Sequence, residues 1–229
     1  MKLPISHRLL ACAAFVRKGD RVADIGCDHG YLSIHLLTQG IASWCIASDI
    51  NEGPLHSAMR NARKFGVANK IEFCLSDGVR DIPRDFDCMV CAGMGADTMI
   101  HILESAPWLK DGKYRLVLQC QSKTPMLRRY LSESGWQIRE EAVLRDGRFL
   151  YTVMEVAFCP EQAKLTAGQW HFPPALLNHP SAELPAYHKW VSGGLRISLA
   201  HQEDPEKRAA LDYLDALAEA YPFLKEEPK

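Results

Sequence analysis

Residues 22–32, which read VADIGCDHGYL, constrain the fold of this chain more than any other stretch. The first four residues predict a buried strand, Gly26 and Gly30 predict a turn, and a helical pattern begins near Tyr31. Glycines let the backbone approach a ligand closely, and the first turn of a helix offers free N–H groups to it. The glycine spacing does not fit the G-x-G-x-x-G pattern of dinucleotide-binding folds, which disfavours a nicotinamide dehydrogenase. The stretch therefore predicts another kind of ligand loop, with an ordinary strand-to-helix turn as the alternative.

Short apolar segments that predict strands alternate with segments of helical periodicity over the first 134 residues. The predicted strands span residues 22–25, 44–48, 70–75, 86–91 and 114–120, and the predicted helices span residues 5–16, 31–39, 53–65, 98–105 and 125–134. The strands are apolar throughout, which is typical of parallel strands buried on both faces. This pattern predicts a doubly wound α/β fold with a mostly parallel, Rossmann-like sheet.

A hairpin and a helical segment follow the alternating part. Residues 136–144 and 148–158 predict two long strands, and the Asp146-Gly147 pair between them favours a tight antiparallel turn. Beyond Pro160, several prolines predict a linker, and residues 186–201 and 205–220 predict two helices. We therefore predict a main domain over residues 1–160, and a linker with a C-terminal helical hairpin over residues 161–229.

The composition limits the classes of function. The net charge is −1, so a nucleic-acid-binding surface has to be a local patch. No apolar run approaches the roughly 20 residues of a membrane span, and the first residues do not resemble a secretory signal. We therefore expect a cytoplasmic protein without a membrane partner. Cys88 and Cys91 form a C-x-x-C pair, but positions three apart on a strand point to opposite faces, so we expect no metal there.

Three acidic residues follow three successive predicted strands. Asp24, Asp49 and Asp77 stand at carboxyl ends, which meet along the ligand-binding edge of an α/β sheet. Asp49 could accept hydrogen bonds from ribose hydroxyls, and Asp77 could approach an adenine amino group. Each could instead belong to a plain turn or cap a helix. Their convergence favours a nucleoside-containing ligand.

The fourth strand leads into an open glycine loop, Cys91-Ala-Gly-Met-Gly-Ala-Asp97. It would stand at the same edge of the sheet, opposite the first loop. The Asn/Asp-Pro-Pro-Tyr/Phe motif typical of adenine-N6 methyltransferases is absent here, which disfavours that subclass. Glycines that merely ease a strand-to-helix turn are the alternative.

Two of these loops carry a family resemblance. The first loop resembles the acidic-x-Gly-x-Gly-x-Gly loop of Rossmann-like S-adenosylmethionine (SAM) methyltransferases, with Asp24 as the acid and Asp28 in place of the middle glycine. The chain resembles the bacterial tRNA (adenine-22-N1)-methyltransferase family in residues 24–32, in Ala92-Gly-Met-Gly95 and in Leu118-Gln119. The resemblance extends from about residue 6 to residue 158. The chain departs from the family pattern at Cys27, Gly30, Ser33, Ala96 and the turn Cys120-Gln-Ser. Its C-terminal segment is shorter and more acidic than the helical domain that aids tRNA binding in the family.

The resemblance implies SAM as cofactor, tRNA as partner and N1 of an adenine, at position 22, as methyl acceptor. The residues that it implies for the cofactor are Asp24, Gly26, Gly30, Asp49, Ile50, Asp77, Gly78, Ala92 and Gly93. Methylation of a small molecule, and a non-catalytic SAM- or tRNA-binding module, remain alternatives. We expect a monomer.

The candidate catalytic residues are Asp28, His29, Tyr31, Met94 and Gln119. Adenine N1 already has a lone pair, so its attack needs no base, and a carboxylate such as Asp28 would stabilise the cationic base that forms. His29 could hydrogen-bond the base or fix the loop. Tyr31 could stack on the base or pack beneath its helix. Gln119 could contact the adenine edge or satisfy backbone groups at the end of its strand.

A set of basic residues is the candidate tRNA surface. It consists of Lys123, Arg128, Arg129, Arg139, Arg145 and Arg148. Helical spacing predicts that Arg128 and Arg129 are exposed, and the hairpin brings Arg145 close to Arg148. Phosphate contacts from such a set would make binding depend strongly on salt. A solvated surface without a partner is the alternative.

Overall fold

Seven strands form one sheet within residues 3–178 and 180–226, which are the residues that this computed structural model describes. Their order is β3-β2-β1-β4-β5-β7-β6. The strands are β1 Arg21–Ile25, β2 Trp44–Asp49, β3 Ile71–Leu75, β4 Cys88–Met94, β5 Arg115–Cys120, β6 Trp136–Asp146 and β7 Phe149–Phe158. The first five are parallel, whereas β7 is antiparallel to both β5 and β6. The predicted α/β fold with a terminal antiparallel hairpin is confirmed.

The helices include all those that the periodicity predicts, with ends shifted by a few residues, and two short ones in the segment predicted as a linker. They are α1 His7–Ala14, α2 Tyr31–Thr38, α3 Glu52–Lys64, α4 Ala96–Glu104, α5 Thr124–Glu133, α6 Ala167–His171, α7 Ala175–Asn178, α8 Leu184–His201 and α9 Pro205–Ala220. Strand order reverses between β1 and β4, because β2 and β3 lie on one side of β1, and β5 lies beyond β4. Such a switch point opens a crevice at the carboxyl ends of the strands.

Apolar residues pack on both faces of the sheet. Cys91 belongs to the cluster that includes Met99 and Leu127, whereas Cys88 belongs to the cluster that includes Leu36 and Ala58. The two cysteines of the C-x-x-C pair therefore point to opposite faces, as the strand geometry predicts. All eight cysteines are free thiols. In the described part of the chain, no three metal-ligating side chains are grouped to hold an ion.

The segment predicted as a linker is folded, so that prediction is wrong. It contains α6 and α7, and Phe172 between them is completely buried. Thr166 and Gln169 form a capping box that starts α6, and the two prolines before α7 are compatible with a helix start. The C-terminal helices share a core with Val143 of β6, so this segment packs on the hairpin. Residues 1, 2, 179 and 227–229 of the two predicted segments lie outside the described residues.

Arg128 is fully buried, so its predicted exposure is wrong. Like Leu127 and Leu131, it is one of the buried residues of α5. It is buried because the C-terminal segment covers it. Its guanidinium group donates to both Glu141 carboxylate oxygens, at 2.6 and 3.2 Å, and to the carbonyl oxygens of Trp170 and His171, at 2.9 Å each. Arg128 therefore connects α5, β6 and the C-terminal segment and does not reach an RNA surface.

Candidate active site

A cavity of about 520 Å³ lies at the carboxyl ends of the parallel strands. This volume is within the range of small-molecule sites. Eight of the nine predicted cofactor residues line it, namely Asp24, Gly26, Asp49, Ile50, Asp77, Gly78, Ala92 and Gly93. Of the predicted catalytic residues, Asp28, His29, Tyr31 and Met94 line it as well. Among the described residues, Gly30 and Gln119 do not line this cavity.

Both glycines of the first loop have left-handed backbones but different surroundings. Gly26 has φ +71°, and a Cβ atom there would lie 2.2 Å from Cε of Met94. Gly30 also has φ +71°, and a Cβ atom there would lie 2.9 Å from Cβ of Ala58 on α3. Gly26 therefore keeps the cavity wall thin, whereas Gly30 allows α2 to begin close to α3. A cofactor contact by Gly30 stays a prediction.

Asp24 is a buried carboxyl group that faces the cavity from the end of β1. The hydroxyl of Ser33 donates to its Oδ2 at 2.8 Å, so this departure from the family pattern gives the acid a partner. Burial raises the pKa of Asp24 from 3.8 to about 6, against the opposing effect of the Ser33 hydrogen bonds. The negative charge of the nearby Asp49 contributes to this raised pKa. A ligand that donates to Asp24 or carries positive charge would stabilise its ionised form.

Asp49, at the end of β2, holds the two neighbouring loops through backbone groups. Its Oδ2 accepts from the N–H of Asp28 at 3.2 Å, and its Oδ1 accepts from the N–H of Asn51 at 2.9 Å. Each carboxylate oxygen has a second lone pair, so both can also accept from a pair of hydroxyls. Asp49 can therefore bind a diol while it fixes the position of Asp28.

The β2 and β3 ends add an apolar wall and another acid. Ile50 is 61% exposed although it lines the cavity, so an apolar surface is available to a flat ring. Asp77 pairs with Arg80 at 3.0 Å and remains partly exposed. Gly78 has φ +63° and lies close to Ile102, where a side chain would crowd the wall. These residues suit a heterocycle with an amino group at its edge.

Asp28, His29 and Tyr31 stand at the open side of the cavity. Asp28 has φ +50°, and its carboxylate is 69% exposed. Nε2 of His29 lies 3.7 Å from Oδ1 of Asp28, and the rings of His29 and Tyr31 are 5.5 Å apart. The amide of Asn61 donates to the carbonyl oxygen of His29 at 3.0 Å, which ties this loop to α3. The three side chains are thus available to a second ligand that enters after the first.

Gln119 supports the opposite loop and does not contact the cavity. Its Oε1 accepts from the N–H of Gly93 at 3.1 Å and from Nη1 of Arg8 at 3.4 Å, and its Nε2 donates to the carbonyl oxygen of Cys120. Gly93 has φ +82° and lies where the β4–β5 register shifts, so Gln119 satisfies the backbone of a bulge. Gln119 thus makes the backbone contacts that were its alternative role, and a catalytic contact by this residue stays a prediction.

Several lining residues are absent from the sequence-based prediction, among them Arg8 and Gln121. Arg8 reaches the cavity from α1 and pairs with Asp146 at 2.9 Å, a contact across 138 positions that no local motif indicates. Gln121 follows the fifth strand, and its position just after the carboxyl end of a parallel strand could have indicated a residue of the cavity. Its N–H donates to the carbonyl oxygen of Met94 at 2.8 Å, which fastens the divergent turn after β5 to the glycine loop.

The exposed members of the basic set are mostly engaged in surface ion pairs. Lys123 pairs with Asp97 at 2.9 Å, Arg145 with Glu183 at 2.6 Å, and Arg129 with Glu133 at 2.9 Å. Arg139 is exposed, and the guanidinium group of Arg148 lies 4.9 Å from the ring centre of Phe149. Surface ion pairs are weak, so these groups can exchange partners with phosphates. RNA binding by this set stays a prediction.

The fold and the cavity define a Rossmann-like methyltransferase, and comparisons with known proteins agree. The methyltransferase domain family matches residues 5–154. The tRNA (adenine(22)-N(1))-methyltransferase of Bacillus subtilis is 33% identical over 154 residues, which are 67% of this chain. That match spans 65% of the relative, slightly less than two thirds of its length.

Solved structures extend the likeness beyond the methyltransferase domain. Sp1610 of Streptococcus pneumoniae, provisionally assigned as a tRNA (m1A22) methyltransferase, superposes with a TM-score of 0.81 at 30% identity. The superposition covers 94% of this chain and 98% of that one, so it includes the C-terminal helices. A structure of the same protein with S-adenosyl-L-methionine gives 0.78 at 31% identity, with the same coverage of both chains. The chain belongs to the tRNA (adenine(22)-N1)-methyltransferase family.

Proposed function

We propose that this protein transfers the methyl group of SAM to N1 of adenine 22 in tRNA. One observation carries the proposal: the acids that end β1, β2 and β3 and the glycine loop after β4 surround a single cavity, in a member of this family. The protein would act in the cytoplasm, where its substrate is found, and as a monomer. We also propose the division into residues 1–160 and 161–229, because the C-terminal helices form a separate apolar cluster to which the main domain adds only Val143 and Leu150 among the described residues.

The cavity residues fit the groups of SAM. Asp49 would bind the ribose hydroxyls, Ile50 would cover the adenine ring, and Asp77 would accept from the adenine amino group. Asp24 and the thin wall at Gly26 would lie along the rest of the cofactor. SAM supplies an electrophilic methyl group on a positively charged sulfur, and four carboxylates around the cavity favour such a cation.

The acceptor base would enter on the side of Asp28, His29 and Tyr31. N1 of adenine presents a lone pair, so the protein does not need to remove a proton before the transfer. The exposed carboxylate of Asp28 would lower the energy of the positive charge that develops on the ring. Positioning supplies the remaining acceleration, because Asp49 and Asn61 hold the loop that carries these side chains.

The test is methyl transfer from labelled SAM to unmodified tRNA, followed by nucleoside analysis. A tRNA transcript with adenine 22 should yield 1-methyladenosine, and a matched transcript with guanine 22 should yield none. Absence of 1-methyladenosine from both transcripts would overturn the proposal. Labelled small molecules in a cell extract would then support the small-molecule alternative, and SAM binding without any transfer would support a non-catalytic module.

A further inference from the structure

A second cavity, of about 380 Å³, adjoins the first one. It lies between the turn after β5, the β6–β7 hairpin and α8. Gln121 lines both cavities. The two cavities are therefore neighbours that meet at Gln121.

The two cavities differ in charge. The first is lined by Asp24, Asp28, Asp49 and Asp77, whereas none of the described residues that line the second is an aspartate or glutamate. The second cavity has two lysines instead, Lys123 and Lys207. Nζ of Lys207 donates to the hydroxyl of Ser198 at 3.0 Å and lies 3.5 Å from Oδ2 of Asp204, whereas Lys123 pairs with Asp97. Surface ion pairs of this kind are weak, so both lysines can exchange their carboxylate partners for a phosphate. The second cavity thus favours an anionic ligand over the cationic one of the first.

Aromatic and apolar side chains form the walls of the second cavity. Trp190 is 63% exposed although it is a large aromatic residue, and Tyr151 on the hairpin lines the same cavity. Leu150, Val191 and Leu195 add apolar surface. An exposed tryptophan beside lysines is the combination that binds unpaired bases by stacking and their phosphates by charge.

His171 adds a polar group that can contact the edge of a base. Burial, together with the positive charges of Arg128 and Lys207, lowers the pKa of His171 to about 4. The imidazole is therefore neutral near pH 7 and offers one hydrogen-bond donor and one acceptor. Such a group suits the edge of a heterocycle better than a phosphate.

We propose that the second cavity binds an unpaired nucleotide of the tRNA next to the adenine that is methylated. Its base lies against Trp190 and Tyr151, and its phosphate lies near Lys123 and Lys207. This inference rests on the proposed function, because it assumes that the adenine occupies the first cavity. It adds a site in which the C-terminal helices take part in substrate selection.

Two adjacent glycines on α8 supply a matched pair of variants. A Cβ atom at Gly193 or at Gly194 would meet nothing within 4 Å, and only Gly194 of the two lines the second cavity. Leucine is a better helix former than glycine, so both variants should fold. Gly194→Leu fills the cavity, and Gly193→Leu makes the same change beside it.

The experiment measures steady-state methylation of an adenine-22 tRNA transcript, with SAM affinity and thermal unfolding measured alongside. We expect Gly194→Leu to raise the KM for tRNA about tenfold, because that is the typical effect of losing one stacked base. SAM affinity should stay unchanged. Gly193→Leu should stay within about twofold of the unaltered protein, and Trp190→Ala should behave like Gly194→Leu.

An unchanged KM for tRNA in Gly194→Leu, with a folded protein, would overturn the inference. So would equal losses in Gly193→Leu and Gly194→Leu, because they would reflect the helix rather than the cavity. Transfer by the unaltered protein separates the two proposals: if it methylates tRNA and Gly194→Leu does so equally well, only this inference fails. If the unaltered protein does not methylate tRNA, the proposed function fails, and this inference fails with it.

Discussion

Asp28 combines a left-handed backbone with an exposed carboxylate at the cavity mouth. Its φ of +50° is a conformation that Asp and Asn tolerate better than most residues, and its N–H is held by Asp49. Such outliers are often retained where function needs them. The side chain would face the base because Asp49, rather than Asp28, is placed for the cofactor.

The first prediction concerns the charge of Asp28. Asp28→Asn keeps the size and the backbone preference and removes the charge, so kcat should fall about 100-fold, which is typical for the loss of one electrostatic contact to a transition state. SAM affinity, measured by calorimetry, should change less than about twofold. Asp28→Ala also strains the loop, so it is the poorer test. Loss of SAM binding in Asp28→Asn would contradict the role that we assign.

The second prediction concerns the buried acid Asp24. Its pKa is raised in the folded protein, from 3.8 to about 6, so its favourable contribution is complete below pH 4 and is lost as the pH rises through 6. A shift of roughly two units corresponds to about 3 kcal/mol. Asp24→Asn should therefore be about 3 kcal/mol more stable than the unaltered protein at pH 8 in urea unfolding without SAM.

The comparison between pH values provides the control for Asp24→Asn. At pH 4 the stability difference should fall below about 1 kcal/mol, because the carboxyl group is then protonated in the folded state and close to half protonated in the unfolded state. SAM binding at pH 8 should weaken about tenfold or more, since a charged hydrogen-bond acceptor is lost. A stability difference that does not vary with pH would argue against the raised pKa.

At the scale of elements, α5 is connected to the hairpin and the C-terminal segment by a buried ion pair. Arg128 and Glu141 have no exposed side-chain surface, and the hydroxyl of Tyr187 on α8 accepts from Arg128 at 3.1 Å. A buried pair adds little net stability, but removal of one partner leaves an uncompensated charge. The contact therefore fixes how α8, and with it the second cavity, lies against the sheet.

The third prediction follows from that burial. Arg128→Met should cost about 3–5 kcal/mol in urea unfolding, because Glu141 would remain charged and buried. The adjacent Arg129 is half-exposed and pairs with Glu133, so Arg129→Met should cost less than about 1 kcal/mol. The added change Glu141→Met should recover most of the loss in Arg128→Met. Equal costs for the two arginine variants would contradict the buried pair.

The elements show why some features could be predicted and others could not. Strands such as β1 are mostly apolar, and Asp24 and Asp49 lie at the carboxyl ends of β1 and β2, so local sequence predicts both the sheet and its acidic edge. The burial of Arg128 depends on α6 and α8, which are distant in sequence. Gln119 points toward a bulge whose existence depends on how β4 pairs with β5. Contacts between distant parts of the chain therefore determine the surroundings of these residues, which the local sequence does not indicate.

At the scale of the whole molecule, a near-neutral chain has to bind a polyanion through local charge. The net charge is −1, and the first cavity is acidic, so phosphate contacts are left to exposed basic residues such as Arg148 on the hairpin turn. In the described part of the chain, no helix is long and apolar enough to cross a membrane.

The fourth prediction concerns that surface. Affinity for tRNA should fall steeply with salt, and Arg148→Ala should weaken binding and reduce the slope of log affinity against log salt by about 1. Arg208→Ala is the control, since Arg208 is a similarly exposed arginine on α9 outside the predicted set. Fluorescence anisotropy with labelled tRNA measures both quantities. An unchanged slope in Arg148→Ala would remove this residue from the tRNA surface.

The central claim is that the first cavity delivers a methyl group to N1 of adenine 22. Replacement of adenine 22 by 1-deazaadenosine removes that nitrogen and keeps the rest of the base. Mass spectrometry of the digested transcript should show 1-methyladenosine after reaction of the adenosine form with SAM, and no methylated product at position 22 in the deaza form. Methylation of the deaza transcript to the same extent, or of neither transcript, would contradict the account.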